Sequence, residues 1–286
     1  MLLMPSTYRM TMLIAVAVCA LPACAVAEGL PSQGDPGLTH PLAATIQYAE
    51  ERQTFIKDHV RTYSCQLVKR ERIGGKLQAY QYADVKVRCA SEQNAVDPEP
   101  MSVLIKFLGP VRLKGRIVLF TAGEDDGLAC VRMGGPGLFK NVELKVDPNS
   151  ETARRESRYP ITDIGFDRIM QRLIDLAKND LRSDPDATNT TVSYFQNAKL
   201  KDRNCTHIQV VHPVQSDQFT FHKASLYVDD VLNVPVRLVV FDWPTSAGGK
   251  PRLVEEYNYM NLKLNVALDP DLFLKSQYFN EKYNNQ

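Results

Sequence analysis

One segment of the chain has the hydrophobic period of a helix, and it lies between two blocks with the period of strands. In residues 160–181 the apolar side chains recur at the i, i+3, i+4 and i+7 positions of one helix face. They are Phe166, Ile169, Met170 and Leu173. Thr162 and Asp163 are candidate caps at its start, and Asp184 before Pro185 marks its end. The pattern predicts an amphipathic helix that buries its apolar face against a sheet.

The rest of the chain reads as one further helix and many strands. An apolar stripe predicts a helix over residues 41–60, and from residue 62 onward the period changes to two. Turn residues then separate roughly ten strands at intervals of about 8–14 residues. The predicted strands are 63–73, 80–89, 101–107, 115–121, 128–133, 191–199, 205–212, 219–228, 236–241 and 253–264, with a further short strand at 141–147. Two helices are too few for alternating parallel units, so the sheet should be antiparallel.

This order of elements predicts a mainly β (α+β) fold, an open antiparallel half-barrel with helices packed on its concave face. Segment 160–181 is then expected to act as a lid over the concavity, with residues 134–137 and Gly165 as candidate hinges. In that hypothesis Phe166, Ile169, Met170 and Leu173 line a cavity. In the competing interpretation the same four side chains fill a closed core.

The first residues have the pattern of an export signal. Residues 10–21 form an apolar run too short to span a bilayer, and it follows the cation Arg9. Cleavage after Ala27 would make residues 1–27 a signal peptide, whereas cleavage after residue 23 would leave a lipidated Cys24. Residues 28–39 then form a flexible lead, and 40–286 a single domain. We expect a protein of the periplasm or cell envelope, with no transmembrane helix in the mature chain.

Export places the remaining cysteines in an oxidising compartment. Cys65 and Cys89 flank a predicted hairpin, so they are a candidate disulfide pair. The alternative is that they are buried as small free side chains. The sequence indicates no pairing for Cys130 and Cys205.

A search for catalytic chemistry gives little. The formal net charge of +1 offers no basis for nucleic-acid binding, and no phosphate loop, zinc-ligand spacing or nucleophile motif is present. We therefore expect no cofactor and no metal, and a non-enzymatic protein rather than a hydrolase. Two pairs of polar residues are expected to be structural: His207 and His212 on opposite faces of one strand, and Glu255 and Glu256 on opposite faces of another. The acidic turn 123–127 is a weak candidate for a cation.

Several segments resemble a known family of exported bacterial proteins, the domain of unknown function 1571. They are YSCQLVKRERIGGKL at 63–77, LKVDP at 144–148, YPITDIGFDRIMQRLI at 159–174, PVRLVVFDWP at 235–244 and EEYNYMNLKLNVALDPDLF at 255–273. The order of elements also resembles that of the lipoprotein carriers and envelope sensors of the LolA, LolB and RseB type. That resemblance implies a half-barrel whose concavity accepts acyl chains, with a lipid or a lipoprotein acyl chain as ligand. The alternative is a structural or sensor module without a ligand, which binds another envelope protein through sheet edges or the loop at Trp243.

Overall fold

The strands form one open antiparallel sheet. The structure is a computed structural model that describes residues 40–90 and 99–280. The strands within that part of the chain are β1 (Thr62–Ile73), β2 (Lys76–Leu77), β3 (Gln81–Arg88), β4 (Ser102–Gly109), β5 (Ile117–Thr121), β6 (Ala129–Arg132), β7 (Glu143–Val146), β8 (Thr191–Leu200), β9 (Arg203–Val211), β10 (Lys223–Asp229), β11 (Pro235–Asp242) and β12 (Arg252–Leu264). Their order is β7-β6-β5-β4-β3-β1-β12-β11-β10-β9-β8, with β2 paired to β1. The predicted fold class is therefore confirmed.

Three helices are described, α1 (Pro41–His59), α2 (Glu151–Arg154) and α3 (Phe166–Ser183). The helix predicted over 160–181 starts later than expected, because a single 3-10 turn at Ile161–Asp163 precedes it and Gly165 takes the N-cap position. Thr162 and Asp163 therefore lie before the helix and do not cap it. Its end is as predicted, since Asp184 is the C-cap residue.

The connection between the two outer strands decides where the helices lie. β7 is at one end of the sheet order and β8 at the other, and α2, the 3-10 turn and α3 join them. The chain crosses the concave side on this path, and α1 packs beside α3. Phe166 and Met170 of α3 are buried in one core with the β1 and β12 side chains Tyr63 and Tyr259. The prediction that the amphipathic helix covers the sheet is therefore correct.

The opposite, convex face carries a second core that the hydrophobic pattern did not predict. Phe273 and Phe279, from the segment after β12, pack on Leu104, Ile117, Leu119 and Cys130. This segment forms two single 3-10 turns, Pro270–Phe273 and Lys275–Gln277. Arg132 fixes it by donating from Nη1 to the Tyr278 carbonyl at 2.9 Å. The final strand is thus followed by a cover for the convex side of β4, β5 and β6.

The candidate disulfide between Cys65 and Cys89 is not formed in this structure, where both are free thiols. The strand register explains the correction. Cys65 lies opposite Val85, and the Cys89 amide bonds the Arg61 carbonyl. Four residues of strand span about 13 Å, well beyond the reach of a disulfide. Burial raises the pKa of both thiols to about 12, so both remain protonated.

The predicted signal and lead segments lie outside the described residues, and so does Cys24. Among the helices that the structure describes, none is long and apolar enough to cross a membrane.

Asp184 ties the end of α3 to the start of β8, and it makes stability depend on pH. Burial alone would raise the pKa of its carboxyl, but hydrogen bonds from Thr190 Oγ1, the Asn189 amide and Thr188 outweigh burial and lower the pKa from 3.8 to about 2. A lowered pKa means that the folded state favours the ionised form. Its contribution to stability is present above pH 3.8 and is lost as the pH falls towards 2.

We therefore expect the free energy of unfolding to fall across this acidic window, and to fall less in Asp184→Asn. Urea titrations at several pH values measure this. The matched control is Asp186→Asn, since Asp186 is an exposed neighbour. Equal acid sensitivity in Asp184→Asn and the unmodified chain would contradict the assignment.

Candidate ligand cavity on the concave face

A cavity of about 440 Å³ lies on the concave side of the sheet. It extends across the consecutive strands from β11 to β7, because inward-facing residues of each of them contribute to its lining. The apolar floor includes Leu67, Ala83, Ile105, Val118, Val131 and Leu144. Side chains of α1 and α3 fill the core beside the cavity.

The cavity is roofed mainly by the segment 148–164, which we call the roof. It runs from the end of β7 through α2 and the 3-10 turn, and it places Pro148, Ala153, Tyr159 and Ile161 over the cavity. From α3 only Ile169 and Arg172 are among the lining residues. The prediction of a lid over 160–181 is thus corrected: most of the roof precedes the helix. The sequence signal for a helix in the roof is Ser150, which caps α2; a hydrophobic period cannot reveal so short a helix.

The four side chains predicted to line the cavity lie in two different environments. Ile169 lines it, but Phe166, Met170 and Leu173 are not among the lining residues. The Phe166 ring lies 4.5 Å from that of Tyr63 and 5.1 Å from that of Tyr259, between centroids. Met170 is fully buried, and Leu173 is half-buried against the same core. The apolar face of α3 points at β1 and β12 rather than at the cavity, so three of the four serve the closed-core role.

A buried carboxylate on the sheet holds the roof in place. Glu71 of β1 is 2% exposed and accepts hydrogen bonds from the Tyr257 hydroxyl and from Lys69 Nζ, the latter at 2.9 Å. The same Lys69 ammonium donates to Ser157 Oγ of the roof, also at 2.9 Å. The Arg158 amide reaches Glu71 Oε1 at 3.4 Å. One acid thus joins two strands and the roof.

A second carboxylate beside it does the same. Glu255 of β12 is the cross-strand partner of Glu71, and it accepts from Arg158 Nε at 2.8 Å and from the Tyr159 hydroxyl at 3.0 Å. Burial raises the pKa of the Glu255 carboxyl, although the Arg158 guanidinium acts against that rise. The Arg172 guanidinium lies 3.6 Å from the Tyr159 ring centroid. The roof is therefore attached through charged and polar contacts as well as through apolar packing of Tyr159, Ile161 and Ile164.

Glu256 points to the other face, as the alternation predicts. It pairs with Arg237 Nη2 at 2.9 Å and accepts from the Tyr80 hydroxyl. It takes no part in the cavity.

The histidines lie outside the cavity. His207 stacks between Phe195 and Tyr227. His212 is fully buried, with Nε2 3.2 Å from Asp180 Oδ2 and Nδ1 3.3 Å from Thr190 Oγ1. All three members of this group are at most 2% exposed, so the group fixes α3 to the sheet and offers no access to a substrate.

In the acidic turn 123–127, lysine side chains already pair with the carboxylate of Asp125, so this carboxylate is not available to a metal ion. Asp125 pairs with Lys275 Nζ at 2.8 Å and with Lys145 Nζ at 3.2 Å. Across the described residues, no group of three or more potential metal ligands is assembled.

One of the two candidate hinges, residues 134–137, is a place of tight packing between two turns. A Cβ on Gly134 would lie 2.2 Å from the Arg116 amide nitrogen, and one on Gly135 would lie 2.4 Å from the Arg112 carbonyl oxygen. These glycines pack two turns together and do not connect the roof to the sheet. Gly165 does lie at the junction of the roof and α3.

The comparisons with known proteins assign the chain no ligand. The search of curated proteins finds no match. Solved structures with a similar arrangement include MucB in complex with MucA(peri), with a TM-score of 0.42 at 12% identity over 80% of this chain and 58% of that one. A LolA superfamily protein from Nitrosomonas europaea has a TM-score of 0.32 at 12% identity, over 80% of this chain and 98% of its own. A DUF1329 family protein from Desulfovibrio piger has a TM-score of 0.36 at 14% identity, over 84% and 99%.

The family comparison is more specific. The model described as "Protein of unknown function (DUF1571)" matches residues 60–284. That span begins just before β1 and includes the whole sheet, the roof and the cover of the convex face. The resemblance seen in the sequence is therefore confirmed, and the chain belongs to the DUF1571 family.

Proposed function

We propose that the cavity binds the acyl chain of a lipid or lipoprotein, and that the protein is a non-enzymatic carrier of the cell envelope. The observation that supports this best is an apolar cavity of about 440 Å³ under a short roof. Ligand pockets commonly measure about 300–1,000 Å³. Burial of an alkyl chain contributes about 0.8 kcal/mol per methylene, so a C14–C16 chain gains about 10 kcal/mol before the costs of ordering. Such binding needs no sequence motif.

The roof has the properties of a lid. Its helix α2 is a single short turn with no buried residue, so moving it exposes little apolar surface. Its contacts with Glu71 and Glu255 are hydrogen bonds and ion pairs, which water can replace when the lid opens. Arg155 of the roof and Arg172 of α3 both line the cavity and can stay near a polar head group.

A bulky substitution in the floor tests the proposal. Val118 lines the cavity, so Val118→Trp should fill it and weaken uptake of a fluorescent fatty acid by about ten-fold or more, the loss expected when a few methylenes are excluded. Val231→Trp is the control, because Val231 is exposed in the turn between β10 and β11. Native mass spectrometry of protein purified from a bacterial envelope should show a bound lipid in the unmodified chain.

The opposite result supports the alternative of a closed interaction module. No co-purified lipid, together with no fatty-acid uptake by the unmodified chain, would contradict the carrier function. The Trp243 side chain would not supply the contact with a partner, because it is buried and its Nε1 donates to the His212 carbonyl at 2.9 Å. Residues 245–250 of the same loop are exposed and stay available to a partner. The mass of the mature N-terminus from the same preparation separates cleavage after Ala27 from a diacylglyceryl adduct on Cys24.

A further inference from the structure

Two adjacent turns carry an exposed apolar surface beside the cavity. They are residues 108–116, between β4 and β5, and residues 133–142, between β6 and β7; together we call them the tip. Leu138 is 96% exposed, and Phe139 and Val111 are each 73% exposed. Leu108 and Val142 are exposed as well. Apolar side chains concentrated in this way on a soluble domain are unusual without a partner.

The tip is held in this form by backbone contacts. The Gly135 amide donates to the Lys114 carbonyl at 2.8 Å, and the absence of a side chain at Gly134 lets the two turns touch. At the base of the second turn, Met133 and Asn141 each donate an amide hydrogen across the turn. Leu138 and Phe139 therefore project from a fixed base.

The tip is also basic. Residues 108–116 and 133–142 contain four cations and no acidic residue: Arg112, Lys114, Arg116 and Lys140. Glu156 of the roof pairs with Arg112 at 3.1 Å and with Arg116 at 3.4 Å, so an excess of three positive charges remains. The whole chain has a formal net charge of only +1. Positive charge is thus concentrated where apolar side chains are most exposed.

We propose that the tip docks on the surface of an anionic phospholipid membrane. Exposed leucine and phenylalanine insert between head groups, and lysine and arginine pair with phosphates around them; this combination defines interfacial membrane contacts.

The position of the tip connects docking with the cavity. Leu113, Arg116 and Met133 belong to the two turns and also line the cavity. The ion pairs with Glu156 join the tip to the roof. Docking would therefore place the cavity next to the bilayer. The docking surface itself goes beyond the carrier function and does not depend on it.

Vesicle co-sedimentation tests the docking. The chain is purified after export and carries Cys24→Ala in every sample, so that no acyl anchor contributes. Vesicles contain either phosphatidylglycerol and phosphatidylethanolamine in equal parts, or phosphatidylcholine alone. We expect binding to the anionic vesicles, and about ten-fold weaker binding for Leu138→Ser/Phe139→Ser and for Lys114→Gln/Lys140→Gln, since two groups are lost from the contact in each.

The controls make single substitutions of the same kinds, apolar to serine and lysine to glutamine, among β8 to β11 at the other end of the strand order. Val231→Ser and Lys201→Gln alter exposed residues in other turns and should leave binding unchanged. Absence of vesicle binding by the unmodified chain would overturn the proposal, as would equal binding by tip and control variants. A change in oligomeric mass on Leu138→Ser/Phe139→Ser, without a change in vesicle binding, would instead identify a contact between copies. Uptake of the soluble fluorescent fatty acid should stay the same in all tip variants, so failure of docking and failure of the carrier function are separate results.

Discussion

Replacing Phe166 by alanine should lower the free energy of unfolding by about 3–5 kcal/mol, as expected for a buried aromatic ring. Phe166 is 1% exposed and its ring packs against those of Tyr63 and Tyr259. Truncation leaves a void between α3 and the centre of the sheet, where β1 and β12 pair. Urea unfolding measures the effect, and the single tryptophan, Trp243, is buried and reports the transition by fluorescence.

The matched control on the same helix face is Leu173→Ala. Leu173 is only half-buried, so its truncation should cost clearly less than that of Phe166. Ile169→Ala tests the lining role, because Ile169 faces the cavity. If Phe166→Ala kept its stability but lost fatty-acid uptake, Phe166 would have to face the ligand, and the division of the four side chains described above would be wrong.

The second large effect is expected at Glu71. Glu71→Ala removes the acceptor of Lys69 Nζ and of the Tyr257 hydroxyl, and leaves the largely covered Lys69 ammonium without its counter-ion. Breaking a buried pair from one side typically costs about 3–5 kcal/mol. The roof should also loosen, because the Arg158 amide loses its acceptor and Lys69 loses the carboxylate that orients it towards Ser157. Urea unfolding measures the first consequence, and faster proteolysis within residues 148–164 measures the second.

A double variant separates the charge from the packing. Lys69→Met/Glu71→Gln removes both charges and keeps an acceptor for Tyr257, so it should recover a large part of the lost stability. Glu151→Ala is the exposed control: its pair with Arg155 lies on the surface of α2, and its loss should change stability by at most about 0.5 kcal/mol. A Glu71→Ala chain as stable as this control would show that Glu71 does not anchor the roof.

Local patterns were enough to predict most of the elements. The period-two segments match β1, β3 to β9, β11 and β12 with their ends shifted by a few residues. The alternation of burial is clearest in β3. The strand predicted over 219–228 begins only at Lys223, since Phe219 and Phe221 pack around His212 before it. The two-residue strand β2 and the short helix α2 were missed, because neither is long enough to show a period.

The sequence predicts that a cavity lies under the covered sheet, but not which side chains line it. An amphipathic helix between two blocks of strands indicated a covered concave sheet. Which side chains line the cavity depends on the angle and position of α3 across the strands, and these are set by contacts with Tyr63, Tyr259 and α1. Glu71 and Glu255 are far apart in the sequence, and only the pairing of the first strand with the last makes them neighbours.

The amino-acid sequence by itself determined the amphipathic helices, the alternating strands and the antiparallel class of the sheet, because these depend on neighbours a few residues away. Only the tertiary structure decided that residues 148–164 form the roof, that the end of the chain covers the convex face and that Cys65 and Cys89 lie out of register. Each of these depends on contacts between segments that are distant in the chain, and the free energy of such contacts is set by the shape of the whole sheet rather than by any local pattern.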